Sequence, residues 1–460
     1  MILDQPVTET RKMRTPLRRQ MPLSAPRSTH ARAAELADID RLLEDTPRLA
    51  ELVAADLPHA PGTSADHGRP GLSGEQVLRA SFVKSMEDAS YDDLAFHLDD
   101  SQTYRWFCRI AWGESGPSSA TLQENIRRVK PKTWAAVNVA LVGKAVELGL
   151  ETGNKTRIDC TVTKANIHPP DDAAQLFDVV RVLVRLLRKA EKLRTGVTVH
   201  SRTKRAKRRR TETMDKKKED REGAYRDLVK VAVEVIGWAR SAVLLLRAGG
   251  VLGDLAATLA LEVVHYADLG DRVVSQTTRR VFDGEKVAAT DKVVSIFEPH
   301  TDIIIKDKRE TLFGHKLLLG TGTRGIVQFC TVLKGNPADS TLVGQALDSV
   351  TDAVGRVPRQ AAMDGGFASV ANLAMAKSKG VKDVCFSKRR GMEVADMAKS
   401  EWVYRKLWRF RVGVEAGISW LKRCFGLGRS SWKGEDGFHA YVQAGVMAFN
   451  LSLIGRLTAA

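Results

Sequence analysis

The sequence predicts an α/β protein: a mixed-sheet core with a large helical insertion after its first strand, preceded by an all-helical N-terminal domain. Three observations carry this reading. Helical periodicity runs from about residue 72 to about 150, period-two alternation begins at Thr156, and short strand patterns interleaved with helices return only after a long amphipathic stretch that starts at Asp171. The domains expected are a basic arm over 1–35, a helical domain over 36–150, and an α/β domain over 151–460 whose insertion spans 170–290.

Residues 1–35 are polar, basic and proline-bearing (ETRKMRTPLRRQ), which reads as a loose arm. The helical domain opens with Ser73 as a cap before Glu75 in LSGEQVLRASFVKSM. Shorter helical stretches follow at YDDLAFHL, TYRWFCRI and SSATLQENIRRV, broken at 113–117 by Gly-Glu-Ser-Gly-Pro. Short helices of this kind, the last carrying Arg127 and Arg128, suit either a helix-turn-helix DNA-binding module or a structural subdomain.

TRIDCTVTKANI alternates and is rich in β-branched residues, so it reads as a strand. From Asp171 to about Leu261 the pattern is helical, with a basic run, SRTKRAKRRRTETMDKKKEDR, between two amphipathic segments. That run suits nucleic acid or a solvated connector. Strands return at HTDIIIK, FGHKLLLGTGT and GIVQFCTVL, the last two close enough for an antiparallel hairpin. A helix (TLVGQALDSVTDAVG), a strand (QAAMDGG), a helix (ANLAMAKSKG), a strand (VKDVCFS) and a mostly helical end from about Met392 to Leu457 complete the chain. With the insertion removed, this is the element order of a ribonuclease-H-like core.

The chain of 460 residues holds 72 Lys and Arg against 55 Asp and Glu, a net charge of +17, which favours a polyanionic partner, nucleic acid first. An apolar run of membrane-spanning length and an apolar N-terminal signal core are both missing, so a cytoplasmic protein is expected. Five scattered cysteines without a CxxC pair disfavour a disulfide framework and a zinc ribbon, and the ten dispersed histidines leave oxygen ligands as the better metal candidates.

Trp408, Arg411, Glu415 and Lys422 are separated by three, four and seven residues, which returns them to one face of a helix. A carboxylate between an aromatic ring and two cations suits a metal ion held beside a nucleic-acid backbone. Two more acids are candidates for the same centre. Asp159 sits among β-branched neighbours in the first strand, where a charge is costly unless compensated. Asp364 ends a strand and opens onto Gly365 and Gly366, the position where α/β sheets place ligands.

At RIDCTVTKANIHPPDD, KVVSIFEPHTDIIIKDKRETLFGHK, LKGNPADSTL, MDGGFAS and FRVGVEAGISWLKRCFGLGR the chain resembles the bacterial insertion-sequence transposases of the DDE type, in particular the ISNCY-like branch. YDDLAFHLDDSQTYRWFCR and SSATLQENI are similar to that family's leading domain, so the likeness runs from about residue 72 to 455. The family's helical signature is Tyr, two residues, Arg, three residues, Glu, six residues, Lys; here Trp408 stands where Tyr is usual.

The resemblance implies Asp159, Asp364 and Glu415 as ligands of two Mg²⁺ ions, with Mn²⁺ suiting the same donors. It implies Arg411 and Lys422 as phosphate contacts, Trp408 as a ring against DNA, and His315 and Lys316 as further phosphate contacts. His168 and His300 read as structural. The activity implied is binding of terminal inverted repeats, metal-dependent strand cleavage and transfer of the freed 3′-hydroxyl to target DNA by a dimer or larger assembly. Two rivals keep the same acids: a nuclease or resolvase of the same fold, and an inactive DNA-binding derivative.

Overall fold

The computed structural model describes residues 28–57, 71–111, 113–193, 196–215, 221–248, 253–306 and 310–459. Two compact units separate along the chain: Ala165–His315, and the described residues on either side of it.

The outer unit begins with helices α1 (Ala31–Glu44), α2 (Arg48–Ala54), α3 (Gly74–Met86), α4 (Tyr91–Asp100), α5 (Gln102–Phe107), α6 (Ser119–Arg128) and α7 (Pro131–Glu147). Four start on serine caps. Ser73 and Ser90 form reciprocal boxes with Gln76 and Asp93, while Ser101 and Ser118 accept from the N–H groups of Tyr104 and Thr121. The arm read over 1–35 lies outside the described residues up to 27, but α1 starts inside it. Leu36, Ile39, Leu42 and Leu43 are buried, so an apolar face overrides the local charge of that stretch. Gly74 lets α3 lie against α2, because a Cβ there would stand 2.5 Å from the Ala50 carbonyl oxygen.

Next comes β1 (Lys155–Lys164), then the inner unit of α8 (Asp172–Lys192), α9 (Thr203–Asp215), α10 (Glu222–Ala248), α11 (Gly253–Thr277) and β2 (Asp302–Lys306). One apolar core joins α8, α10 and α11 through residues such as Leu183, Leu187, Val235, Ala239, Val263 and Val273. Helix persists well beyond the expected end near Leu261. Gly270 does not break it but admits Ile236 and Val179, each 2.9 Å from where its Cβ would be.

β3 (Glu310–Thr321) starts in the inner unit, where it pairs antiparallel with β2, and ends in the outer one. There it pairs antiparallel with β4 (Val327–Val332), the hairpin expected from the spacing. α12 (Val343–Val354), β5 (Gln360–Met363), α13 (Val370–Ser378), β6 (Asp383–Phe386), α14 (Val394–Met397), α15 (Glu401–Cys424) and α16 (Glu435–Ala459) follow. The outer unit's strands run in the order β4, β3, β1, β5, β6, with β1, β5 and β6 mutually parallel, so the sheet is mixed. β5 and β6 are buried on both faces, and α15 lies over β1, β5 and β6.

Candidate active site

Two of the expected acids are set side by side by strand register. Ile158 of β1 pairs with Met363 of β5 in a parallel ladder, so Asp159 and Asp364 are the next residues on neighbouring strands, roughly 5 Å apart by strand spacing. Asp159 lies mostly buried, its carboxylate accepting from the Cys160 N–H at 2.7 Å. Burial, reinforced by the negative charges of Asp364 and Asp339, pushes its carboxyl up to about 6.

Asp364 caps the end of β5 with its side chain 50% exposed, accepting from Ser387 Oγ at 2.7 Å. Partial burial raises its pKa, but the Ser387 hydroxyl, the Gly365 N–H, Arg411 and Lys388 outweigh that and hold it below the usual carboxylate range. The two glycines after it are required by close approach. A Cβ on Gly365 would stand 2.7 Å from Lys388 Cγ, and one on Gly366 2.6 Å from Asp339 Oδ2.

The third acid comes from α15, capped by Ser400. Arg411, 13% exposed, places Nη1 3.5 Å from Asp364 Oδ1 and 3.5 Å from Glu415 Oε1, joining the helix acid to the strand acid. Glu415 is 62% exposed. Acids therefore run from the mostly buried Asp159 through the half-exposed Asp364 to Glu415 at the surface.

What brings α15 this close to β1 is an inward-turned arginine. Arg157 donates from Nε to Thr321 Oγ1 at 2.8 Å and from Nη1 to the Phe410 carbonyl at 3.1 Å, with its guanidinium 4.8 Å from the Phe410 ring centre. It crosses α15 where Gly413 has no side chain; a Cβ there would collide with Arg157 Nη1. Glycine costs about 1 kcal/mol within a helix, and the close crossing is what it makes room for.

Trp408, 44% exposed, lies one turn before Arg411, and the half-buried Lys422 lies two turns beyond Glu415, both on the face the periodicity gave them. Lys316 joins the cluster indirectly. Its Nζ is 2.6 Å from Asp339 Oδ1 and donates to the Pro337 carbonyl at 2.7 Å, while Asp339 also receives the Cys160 thiol. Arg127 and Arg128 lie apart from this cluster. Arg127 donates to the Lys433 carbonyl at 3.0 Å, Arg128 pairs with Glu124 at 2.6 Å, and both line a cleft of about 480 Å³ with Lys130 and Lys433.

His315 is engaged within the protein. Its side chain, 4% exposed in the inner unit, joins Asp302 at 2.8 Å through Nδ1 and His300 at 2.7 Å through Nε2. His300 in turn meets Glu298 at 2.8 Å. Both ring nitrogens of His315 are engaged within the protein, so the expected phosphate contact is not open to it as it stands.

Among the described residues no three His, Cys, Asp or Glu side chains converge closely enough to hold an ion between them. The donor set still fits a hard divalent cation. All candidate ligands are carboxylate oxygens, and Asp159, whose carboxyl is pushed up first by burial and further by the charges of Asp364 and Asp339, has like charge beside it that a cation would offset. Arg411 supplies positive charge between Asp364 and Glu415, and Glu415 is exposed, with a long 3.5 Å contact to Arg411.

Asp339, Ser387, Lys388, Arg157 and Gly413 carry no periodic signal. Of these, only Ser387, at a strand end like Asp364, stands where a sequence signal could have been found.

Residues 275–451 match the family model described as the transposase DDE domain, which takes in Asp364 and Glu415. Residues 26–128 match the one described as a transposase domain (DUF772), which takes in α1 to α6. No curated protein and no solved structure matches the chain. Among the described residues no helix is long and apolar enough to cross a membrane.

Proposed function

Because the chain belongs to the insertion-sequence DDE transposases, proteins that act on DNA, we propose that Asp159, Asp364 and Glu415 are its catalytic carboxylates, cutting element ends and joining them to target DNA. The observation that supports this reading is the parallel register of β1 and β5, which ends at Ile158 and Met363 and so brings the next residues, Asp159 and Asp364, side by side, with Arg411 linking Asp364 to Glu415.

Divalent cations, two Mg²⁺ or Mn²⁺, activate the nucleophile and offset charge on the scissile phosphate when bound to these acids. Asp159 and Asp364 form the fixed floor, because β1 and β5 are hydrogen-bonded strands. Glu415 closes the site from α15. Arg411, released from Glu415 as that side chain turns, faces the phosphate, and Lys422 follows the same strand farther along the helix. Trp408 offers a ring on which a base stacks; with no hydroxyl there, tyrosine chemistry has no part.

Water attacks the phosphodiester at the element end and releases a 3′-hydroxyl, which then attacks the target strand at the same centre, with no covalent enzyme intermediate. Residues 36–150, with Arg127 and Arg128, bind the terminal repeats. Residues 151–460 form a ribonuclease-H-like catalytic domain whose insertion spans 170–290. Two ends must be held together, so the working form is a dimer or larger, acting in the cytoplasm on nucleoid DNA.

The test is cleavage and joining by purified protein on linear DNA carrying the element's terminal repeat. Wild type produces a free 3′-end and joined product, and Asp364→Ala produces neither while still binding the end. Full cleavage by Asp364→Ala overturns the assignment, and cutting without joining favours the nuclease rival.

A further inference from the structure

Helix α8 is buried on most of its circumference, with Leu176, Val180, Leu183, Leu187 and Ala190 in the core of the inner unit. Its water-facing strip has an unusual composition. Between Val179 and Ala190 the exposed positions are 181, 185, 188 and 189, and every one is Arg or Lys. Residues 181–210 together hold thirteen of the 72 Lys and Arg and a single acid, Glu191.

Like charges three and four residues apart repel along a helix, and a face that serves only for solvation alternates signs. Part of this charge is neutralised internally. Arg205 and Arg209 of α9 pair with Asp227 of α10, Arg210 lies over the Phe177 ring, and Arg181 meets Asp178 at 2.7 Å. Among the described residues Arg185 and Arg188 have no carboxylate partner, and with Arg181 and Thr203 they line a cavity of about 250 Å³. Within the described part of the basic run noted in the sequence, Arg202, Arg205, Arg208 and Arg209 are paired with carboxylates, whereas Arg185 and Arg188 of α8 are not.

We propose that the Arg181, Arg185, Arg188 strip of α8 binds the sugar-phosphate backbone of duplex DNA, a contact separate from the carboxylate centre. The strip spans roughly 10 Å of helix, the scale of two successive phosphates, and offers charge without base-reading geometry, as suits a backbone contact. The proposal rests on the reading of the chain as a DNA-acting transposase, but it concerns binding and needs no catalysis.

The test measures affinity of the full chain for a long random-sequence duplex as salt is varied, comparing wild type with Arg185→Glu/Arg188→Glu. Losing two phosphate contacts lowers the salt exponent by about 1.8, and affinity at low salt falls about tenfold or more. Arg226→Glu/Lys230→Glu on α10 makes the same change in net charge and is expected to leave the exponent near wild type. An unchanged exponent in the α8 variant, or an equal drop in both variants, overturns the proposal. Wild type that binds with the expected exponent yet never cuts an element end overturns the catalytic reading and leaves this one standing.

Discussion

Asp159→Asn is expected to stabilise the metal-free protein at neutral pH. An Asp carboxyl titrates near 3.9 in an unfolded chain and Asp159 near 6 in the fold, so the folded state holds this proton more tightly. The sign follows from linkage: stability contributed at this site is greatest below about pH 4, falls as pH rises, and is fully lost above about pH 6. A gap of about two units at 1.36 kcal/mol each makes the cost roughly 3 kcal/mol, a ceiling because the carboxyl keeps some contact with water. Asparagine removes the charge and can still accept the Cys160 N–H that Asp159 accepts now.

Urea unfolding in EDTA, followed by tryptophan fluorescence, measures the difference. The variant is expected to be more stable by about 2 to 3 kcal/mol at pH 7.5 and equal to wild type at pH 4. Equal stability at pH 7.5, or a difference of the same size at both pH values, would refute the reasoning. Such a gain would place Asp159 among sites where function is kept at the expense of stability.

Three further outcomes follow from the packing. Gly413→Ala displaces Arg157 and lifts α15 from β1, so strand cleavage should drop at least about tenfold in a folded protein; a variant both more stable and fully active would show that the crossing is unimportant. Arg79→Leu strips the buried Asp40 and Glu75 of a partner whose side chain is 1% exposed, and a loss of about 3 kcal/mol in chemical denaturation is expected. His315→Ala cuts the link between Asp302 and His300. It should destabilise the inner unit by about 2 kcal/mol without changing the salt dependence of DNA binding, and a reduced salt exponent would restore His315 as a phosphate contact.

The parts of this fold legible in sequence were those governed by local rules. β-branched alternation exposed β1, short strand patterns bounded by turn residues exposed β3 and β4, and a serine cap marked α3. The acids were legible for the same reason: Asp159 was anomalous in its strand, Asp364 stood at a strand end, and Arg411 and Glu415 shared a helix face. Contacts between distant segments were not. Nothing near Gly413 signals that Arg157 will cross it, and nothing near Asp339 signals that it will sit against Gly366. α1 was hidden because its buried leucines lie just after a stretch whose charge suggested an arm. The strip on α8 was read only as part of an amphipathic segment, and burial is what shows that each exposed position between Val179 and Ala190 is a cation.

The most direct test of the central claim, that Asp159, Asp364 and Glu415 form one cation centre, is Mn²⁺ binding measured by electron paramagnetic resonance on the protein with an element-end duplex. Wild type is expected to bind the ion, and Ala substitution at each of the three acids to lose or severely weaken that binding with the circular dichroism spectrum unchanged. Three folded variants that each bind Mn²⁺ as tightly as wild type would contradict the account.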